Sequence, residues 1–564
     1  MTTFDDSPDH EFLQRLQREM PGKRVLIVDR HPAARDTLRL MLSAIGVTSV
    51  TGAANSAEAL RLIRSNSYDV ILSDYLLDEG RSGQQLLEEL RRQRLIALGT
   101  VFIVISSERG YHNVVAIAEL APDDYVVKPF TAEHLLMRLI KAVFRKNFLA
   151  PIHRQLDAGA SADALDACER LLAGESAFRL DVLRLKGEIL NSLGRHDEAG
   201  AIYREVLAGK PAPWARMGLA VALRGQKALG EAEALARSIV GEYPEYLSAC
   251  DFLAGVCEEK GDLPAAQAVL QQAATISPNN VTRQRTIGDV ALRNGDLDTA
   301  EKAYGKVLER QRGSSLRQVD DYADLSRVLL DKGNAAGARQ IVQEMKRDWR
   351  GDRHGEYAAA VLDSLCLLAS GEPAQAGSAV ETALRLHETL LAESGPEQPL
   401  PHRIAVDLAQ ACLTAGKETA AQAILKRVAA EHNENRHLIA RIENVFARSG
   451  NEAGGRALLD QVNREIVDIN NRGVLAARSG NLVESVRLLA EAADAVPNVQ
   501  FLVNAAKAIC ALMDKQGWRQ DYAERAQGYL RRAAARDAQD WRVVTGNETF
   551  RRLAARHGQR PAAA

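Results

Sequence analysis

Two patterns of hydrophobic and polar positions divide the 564-residue chain near residue 147. Before that point, short apolar runs predict five buried strands at about 24–28, 47–51, 69–73, 100–105 and 124–127. Amphipathic stretches between and after the strands predict helices at about 33–45, 56–66, 83–94, 110–120 and 131–146. Five β/α units in about 125 residues predict an α/β flavodoxin-like fold, a doubly wound parallel five-stranded sheet in the order 2-1-3-4-5.

Polar side chains follow four of these strands at their carboxyl ends, where open α/β sheets place their functional sites. They are Asp29, Asp74, Ser106 and Lys128. A carboxylate is a usable nucleophile toward a phosphorylated donor and gives an aspartyl phosphate. Catalysis of phosphoryl transfer consists mainly of positioning and of charge neutralisation by cations. The two acids, the hydroxyl group and the lysine are therefore expected to converge on one phosphoryl group.

The order and spacing of these residues, with the Lys-Pro-Phe sequence that starts at Lys128, resemble the response-regulator receiver domain over residues 21–147. The resemblance implies that Asp74 accepts a phosphoryl group from a sensor histidine kinase and that Lys128 neutralises the phosphate oxygens. It also implies that Ser106 and Tyr125 change conformation together once the phosphate is present, as a two-state switch.

The resemblance further implies a Mg²⁺ cofactor, bound through Asp29, Asp74 and the backbone carbonyl of Leu76, because Mg²⁺ prefers hard oxygen ligands. Receivers usually carry a second acid directly after the first one, and Arg30 holds that position here. The loss of an acidic ligand and the added guanidinium group weaken a Mg²⁺ site. Arg30 could instead pair with Asp74 and imitate the charge of a metal. The loop from Asp74 to Gly83 is also one residue longer than usual.

After residue 147 the strand pattern stops, and turn glycines interrupt an Ala-rich helical pattern. Most gaps between these glycines are close to the ~34-residue period of tetratricopeptide repeats. Small and large residues, such as Gly187, Ala199 and Tyr203, fall where that repeat places them. The resemblance implies an all-α tetratricopeptide-repeat solenoid of about ten to eleven repeats over residues 148–540, followed by a C-terminal capping helix and tail at 541–564.

Repeat solenoids of this kind bind proteins, and the residues in their concave groove select the partner. The positions expected in the groove are mixed in charge: Arg184, Glu188, Asp251, Arg285 and Asp289. Amide side chains follow on later helices at Asn444, Asn470, Asn471 and Asn504. Such amides either bracket an extended peptide backbone or cap turns at the surface, and the sequence leaves both roles open.

Composition and charge limit the remaining classes of function. The formal net charge is −2 and no basic recognition element is present, so no nucleic-acid partner is expected. No run of about 18 uncharged apolar residues predicts a membrane span. The N-terminal extension, residues 1–20, is acidic and lacks the apolar core of a signal peptide. Six scattered cysteines fit a cytoplasmic location, and homodimerisation through the receiver faces or the solenoid ends stays open.

Two functions remain open from the sequence. In the first, the chain is a response regulator of a bacterial phosphorelay, phosphorylated on Asp74, with a protein-binding repeat array as output instead of DNA binding. Phosphorylation then resets the face at about 100–146 and docks or releases the first repeats through a short connection at 147–151. In the second, a degenerate receiver is fused to a constitutive repeat scaffold or adaptor. No dedicated enzyme is expected, since a receiver catalyses only its own phosphorylation and dephosphorylation.

Overall fold

The computed structural model describes residues 20–78, 81–107, 122–209, 211–312, 317–393 and 400–559. The chain divides into two compact units. The first unit contains Met1–Asn191 and Arg195–Asn280, and the second contains Ser192–Gly194 and Val281–Ala564. Among the described residues, no helix combines the length and the apolar character that a membrane crossing requires.

A five-stranded parallel sheet forms the core of the sheet domain, residues 20–146 of the first unit. The strands described in this domain are β1 (Arg24–Val28), β2 (Ser49–Ala53), β3 (Val70–Asp74), β4 (Leu76–Asp78), β5 (Arg81–Ser82), β6 (Val101–Ser106) and β7 (Asp124–Val127). The sheet has the order β2-β1-β3-β6-β7, while β4 and β5 form a separate antiparallel hairpin. This order confirms the predicted flavodoxin-like topology.

Helices cover both faces of the sheet. They are α1 (Pro32–Ser43), α2 (Ser56–Ser65), α3 (Gly83–Arg92) and α4 (Ala132–Asp157), and the helix predicted at 110–120 lies outside the described residues. Val25 and Ile27 belong to the core that contains α1 and α4, whereas Leu26 and Val28 belong to the core that contains α2 and α3. Successive residues of a strand face opposite sides, so a strand buried on both sides has to be apolar throughout.

Helix α4 is a continuous element of 26 residues that extends beyond the sheet domain to Asp157, further than the helix predicted at 131–146. The expected short connection at 147–151 is wrong, because these residues are helical and Pro151 lies inside the helix. Leu149 and Ile152 are buried, and α4 packs against the next helix, α5 (Ser161–Leu172). Apolar burial therefore continues the helix through the predicted domain boundary. At the other end of the domain, Met20 is 1% exposed in the sheet core.

Helices make up most of the described remainder of the first unit and most of the described part of the second unit after residue 280. In the first unit they are α6 (Arg179–Ser192), α7 (His196–Gly209), α8 (Pro213–Gly225), α9 (Leu229–Glu242), α10 (Leu247–Lys260) and α11 (Leu263–Ile276). In the second unit they are α12 (Val281–Arg293), α13 (Leu297–Gln311), α14 (Val319–Asp331), α15 (Ala335–Asp348), α16 (Arg353–Ala369), α17 (Pro373–Glu393), α18 (His402–Thr414), α19 (Glu418–Glu431), α20 (Arg436–Arg448), α21 (Glu452–Arg478), α22 (Leu482–Ala495), α23 (Val499–Gln516), α24 (Gln520–Arg536) and α25 (Trp541–Arg556).

The small residues of the repeat pattern are explained by close contact with tyrosines. A Cβ atom on Gly187 would lie 2.5 Å from Cζ of Tyr203, and one on Gly218 would lie 2.2 Å from the same atom. In the second unit, a Cβ atom on Gly288 would lie 2.6 Å from the ring of Tyr304. Because no side chain fits at these positions, the large and small residues of the repeat determine how closely neighbouring helices pack.

Two features of the second unit depart from a regular repeat array. Helix α21 is 27 residues long and joins the second helix of one predicted repeat to the first helix of the next. Helices α14, α16 and α18 are buried on most of their sides. A helix surrounded in this way lies in the interior, so its charged side chains need partners inside the protein.

Candidate functional site

The carboxyl ends of four neighbouring parallel strands place the predicted site residues at one edge of the sheet. Asp29 follows β1 directly, and β3 ends at Asp74. Strand β6 ends at Ser106, and Lys128 follows β7. Tyr125 lies within β7, where it is paired with Val104 of β6. The parallel order β1-β3-β6-β7 is thus what gathers residues that are about 100 positions apart in the sequence.

Lys128 binds both acids of the site. Its Nζ atom lies 2.6 Å from Oδ2 of Asp74 and 3.3 Å from Oδ2 of Asp29. The side chain of Asp29 is 3% exposed and that of Asp74 is 11% exposed, whereas Lys128 is 28% exposed. The other oxygen of Asp74, Oδ1, accepts a hydrogen bond from the backbone N–H of Leu76 at 3.1 Å. Two buried carboxylates therefore share one ammonium group that reaches the solvent.

The electrostatics of the site follow from this crowding. Burial raises the pKa of Asp74, and its contact with the Asp29 carboxyl raises it further, although the hydrogen bond and charge of Lys128 act in the opposite direction. Burial lowers the pKa of Lys128, but the bonds to Asp74 and Asp29 outweigh burial, so the pKa is raised overall. Lys128 is therefore charged at neutral pH. A positive charge beside Asp29 and Asp74 stabilises the ionised form of the Asp74 carboxylate.

Ser106 and Tyr125, the predicted switch residues, lie on the neighbouring strands. Ser106 is fully buried, and its carbonyl accepts a hydrogen bond of 2.7 Å from the backbone N–H of Lys128. Tyr125 is partly buried beside the core formed with α2 and α3. The carbonyl of Tyr125 accepts a hydrogen bond of 2.7 Å from Nη1 of Arg138 on α4. The strand ends that carry these two residues are thus bonded to Lys128 and to α4.

Arg30 does not pair with Asp74, contrary to one sequence hypothesis. Its Nε atom donates to Nε2 of His31 at 3.0 Å, and its side chain is exposed. The loop backbone is held instead through Asp29, whose Oδ1 accepts from the N–H of His31 at 2.8 Å and whose carbonyl accepts from Arg35 at 2.6 Å. Lys128 occupies the place beside Asp74 that the hypothesis gave to Arg30: Nζ of Lys128 lies 2.6 Å from Oδ2 of Asp74, whereas the Arg30 side chain bonds to His31.

The donor atoms at the site fit a hard cation such as Mg²⁺. Asp29 and Asp74 supply carboxylate oxygens, and the contact between their carboxyl groups favours a positive charge there. No group of three or more His, Cys, Asp or Glu side chains arranged to hold a metal occurs within the described part of the chain. Asp29, Asp74 and the carbonyl of Leu76 would hold Mg²⁺ with one carboxylate fewer than the family pattern, since Arg30 replaces the adjacent acid.

Gly83 is a site residue whose role the sequence analysis missed. A Cβ atom at this position would lie 2.3 Å from the carbonyl oxygen of Asp74 and 2.9 Å from Oγ of Ser73. The N–H of Gly83 also donates to the carbonyl of Tyr75 at 2.8 Å. Gly83 therefore closes the lengthened loop against the end of β3, and the β4–β5 hairpin lies between them. Its position at the end of the longer loop was the signal available in the sequence.

The residues predicted to face a partner groove are largely occupied by contacts within the chain. Arg184 and Glu188 pair with each other at 2.9 Å, and Asp251 is exposed. Arg285 forms a bidentate pair with Asp321, with distances of 2.6 and 2.8 Å. Of the asparagines, Asn444 and Asn471 are exposed, and Asn504 donates to Asn470 at 2.8 Å. That last contact joins two asparagines that are 34 positions apart in the sequence.

An internal charge network, which the sequence analysis did not find, holds the remaining groove residue, Asp289. Arg403 binds Asp289 at 2.9 Å and Asp324 at 3.0 Å. Arg327 pairs with Asp324 and also donates to Asp407 at 2.7 Å, and Arg441 pairs with Asp407. Burial raises the pKa of Asp407, but its two arginine partners outweigh burial and lower it overall. Arg285 and Asp289 are therefore not free groove residues, because their charges are matched inside the second unit.

Comparisons with known proteins agree with this geometry. The family model for the response regulator receiver domain matches residues 25–140, and a tetratricopeptide repeat model matches residues 152–213 and 285–353. The phosphate regulon transcriptional regulatory protein of Pseudomonas aeruginosa is 33% identical over 127 residues, which are 22% of this chain and 54% of the relative. The chain thus spans about half the length of that relative.

Two further proteins are similar to the N-terminal part of the chain. The chemotaxis protein CheY of Pseudomonas aeruginosa is 29% identical over 125 residues, which are 22% of this chain and 98% of the relative. The structure of a Francisella response regulator receiver domain is 29% identical, with a TM-score of 0.20, and the match covers 22% of this chain and 98% of that one. The family models show that residues 25–140 are a response regulator receiver domain and that the helical chain after it carries tetratricopeptide repeats.

Proposed function

We propose that the chain is a response regulator that a sensor histidine kinase phosphorylates on Asp74 and that acts through protein binding by its repeats. The observation that carries this proposal is the contact of Lys128 with Asp74 at 2.6 Å and with Asp29 at 3.3 Å. The arrangement holds the nucleophile at the end of β3 and places a cation where negative charge develops.

The transfer step is a displacement at phosphorus. An Oδ atom of Asp74 forms the new O–P bond while the P–N bond of the kinase phosphohistidine breaks, and the imidazole nitrogen keeps the electron pair. Lys128 is positioned to neutralise the phosphoryl oxygens. Bound Mg²⁺ would add positive charge at the same oxygens. Ser106 and Tyr125 are proposed to change conformation once the phosphate is in place, because the new charge favours one of two arrangements.

The output is proposed to be a protein partner bound by the repeats. Arg285 pairs with Asp321 and Asp289 pairs with Arg403, which argues for a partner surface at other positions. A cytoplasmic location is also proposed, in keeping with six cysteines that are all buried and unpaired. We propose no enzymatic activity beyond the chemistry of the receiver and no nucleic-acid partner. The proposal is compatible with a monomer or a homodimer.

Intact-mass spectrometry after incubation with acetyl phosphate tests the acceptor. We expect the wild type to gain one phosphoryl group, Asp74→Ala to gain none, and Asp36→Ala, which removes an exposed acid on α1, to behave as the wild type. A wild-type adduct that survives in Asp74→Ala would place the acceptor elsewhere. The absence of any adduct, also with a phosphorylated kinase as donor, would favour the second function, a constitutive scaffold with a degenerate receiver.

Arg30→Asp tests the metal part of the proposal. The substitution restores the acid that the family pattern has after Asp29 and removes a cation, so Mg²⁺ should bind more tightly by at least about tenfold. Isothermal titration with Mg²⁺ measures the affinity directly, and the acetyl phosphate reaction should reach half-saturation at a correspondingly lower Mg²⁺ concentration. Arg39→Asp, which changes an exposed arginine on α1, is the matched control. Equal affinities in both variants would show that Arg30 does not weaken the site.

A further inference from the structure

Helix α4 connects the phosphorylation site to the first repeat helices without a break. It begins beside β7 and ends at Asp157, where α5 follows after a three-residue turn. Near its start, Nη1 of Arg138 donates to the carbonyl of Tyr125 at 2.7 Å and to Asp124 at 2.8 Å. The backbone of the strand that leads to Lys128 is therefore bonded directly to α4.

Pro151 is the weak point of this helix. A proline inside a helix lacks the N–H that would bond to the preceding turn, and its ring crowds the same turn, so such positions are where helices bend. Pro151 lies five residues after Lys146 and six before Asp157. If α4 bends at Pro151, a movement of its receiver half is not transmitted to its second half unless another contact holds the two halves in line.

The loop between α3 and β6 supplies such a connection through one residue, Leu98. Its carbonyl accepts from Nζ of Lys146 at 2.6 Å, and its N–H donates to the carboxylate of Asp157 at 3.2 and 3.3 Å. Lys146 and Asp157 are eleven positions apart, roughly 16 Å along the helix axis. The backbone of Leu98 thus bridges the two sides of Pro151, and we name these two contacts the Leu98 clamp.

The receiver side of the clamp is itself fixed to the sheet. Lys146 also lies 3.2 Å from Oδ1 of Asp123, to which Arg145 donates at 3.1 Å. The other carboxylate oxygen of Asp123 accepts from the N–H of Phe102 in β6 at 2.9 Å. The side chain of Lys146 is only 16% exposed, so solvent weakens these contacts little. The clamp is therefore attached to β6, the strand that ends in Ser106.

We propose that α4 carries the response at Asp74 into the first repeats, with the Leu98 clamp making the two halves of α4 around Pro151 move as one body. The proposal rests on the proposed function, since phosphorylation supplies the change that is carried. It is an alternative to the docking and release of the receiver face that the sequence suggested, and it is based on the helical structure of residues 147–151. The clamp is a property of the unphosphorylated protein and is testable without phosphorylation.

Hydrogen–deuterium exchange of the full-length protein tests the clamp first in the absence of any phosphate analogue. Asp157→Ala should increase exchange in peptides covering 93–100 and 149–172 roughly fivefold, the ratio that the loss of one hydrogen bond gives. Peptides covering β1 should not change. Asp163→Ala, which removes an exposed acid on α5, is the matched control, and Asp157→Asn, which keeps an acceptor oxygen, should restore near-wild-type exchange. Equal exchange in Asp157→Ala and Asp163→Ala would overturn the clamp.

Beryllofluoride with Mg²⁺, an analogue of the aspartyl phosphate, then tests the transmission. In the wild type it should change exchange around Asp74 and also in α5 and α6, whereas in Asp157→Ala the change should stop before Pro151. A change that reaches α5 equally in Asp157→Ala would overturn the role of the clamp. No change around Asp74 in the wild type would instead refute the proposed function, and the analogue-free comparison would still decide whether the clamp holds α4.

Discussion

Replacement of Lys128 by methionine is the sharpest test of the electrostatic reasoning at the site. Methionine keeps the length and apolar stem of lysine but removes the ammonium group 2.6 Å from Asp74 and 3.3 Å from Asp29. Two carboxylates that are 11% and 3% exposed would then face each other without a cation. Breaking a buried ion pair by removing one partner costs about 3–5 kcal/mol. Lys128 is 28% exposed, so solvent screening reduces the expected loss to about 2–3 kcal/mol.

The pH dependence of this loss has a definite sign. The pKa of Asp74 is already raised by burial, and without Lys128 it rises further, so the folded receiver binds a proton more tightly than the unfolded chain does. Stability then falls as pH rises from the unfolded pKa through the folded one. The difference between Lys128→Met and the wild type should be largest at neutral pH and should shrink as the pH is lowered and the Asp74 carboxyl takes up a proton.

Pulse proteolysis of the full-length protein in urea measures this difference at the receiver itself. For a receiver-sized domain the urea dependence of the unfolding free energy is about 2 kcal/mol per molar, so 2–3 kcal/mol lowers the unfolding midpoint by roughly 1–1.5 M. Lys23→Met is the matched control, because Lys23 lies 3.7 Å from the partly exposed Asp69 and should change the midpoint much less. Equal midpoints for the two variants, or a Lys128→Met shift that does not decrease as the pH is lowered, would refute the reasoning.

Two further substitutions test positions that the sequence did not mark as important. Gly83→Ala should lower the free energy of unfolding of the receiver by about 1–3 kcal/mol, because the new methyl group would lie 2.3 Å from the carbonyl oxygen of Asp74. It should also lower the rate of phosphorylation. Gly99→Ala, where a Cβ atom meets nothing within 4 Å, should change neither quantity. Asp407→Ala leaves two buried guanidinium groups without their shared carboxylate and should destabilise the second unit by about 3–5 kcal/mol. Asp298→Ala, at an exposed ion pair, is its control, and comparable urea midpoints for these two variants would contradict a stabilising network.

The receiver part of the fold was accessible from the sequence because its signals are local. Apolar runs of three to five residues, each followed by a polar residue, predicted four of the five strands, and the observed order confirmed the predicted one. The convergence of Asp29, Asp74 and Lys128 also followed from local information, since parallel strands always bring their carboxyl ends to one edge. The repeats were visible for a similar reason, as a glycine such as Gly187 is required wherever a tyrosine of the neighbouring helix fills the space.

Contacts between distant segments determined what the sequence could not provide. Whether Arg30 or Lys128 lies beside Asp74 depends on the position of β7 relative to β3, which no local pattern contains. Residues 147–151, expected to form a short connection, are helical because the contacts of Leu98 and of the buried Leu149 outweigh the helix-breaking tendency of Pro151.

The sequence by itself determined which residues lie in the strands and in the repeat helices. The hydrophobic period and the sizes of neighbouring residues are local signals that extend over a few helical turns. Only the tertiary structure decided which charges meet. Asp289 was expected in the partner groove, yet it pairs with Arg403 across 114 positions, and the buried Arg327 and Asp407 pair across 80 positions in the second unit. The physical reason is that the free energy of a buried charge depends on the partner found after folding, and that partner has no fixed spacing in the sequence.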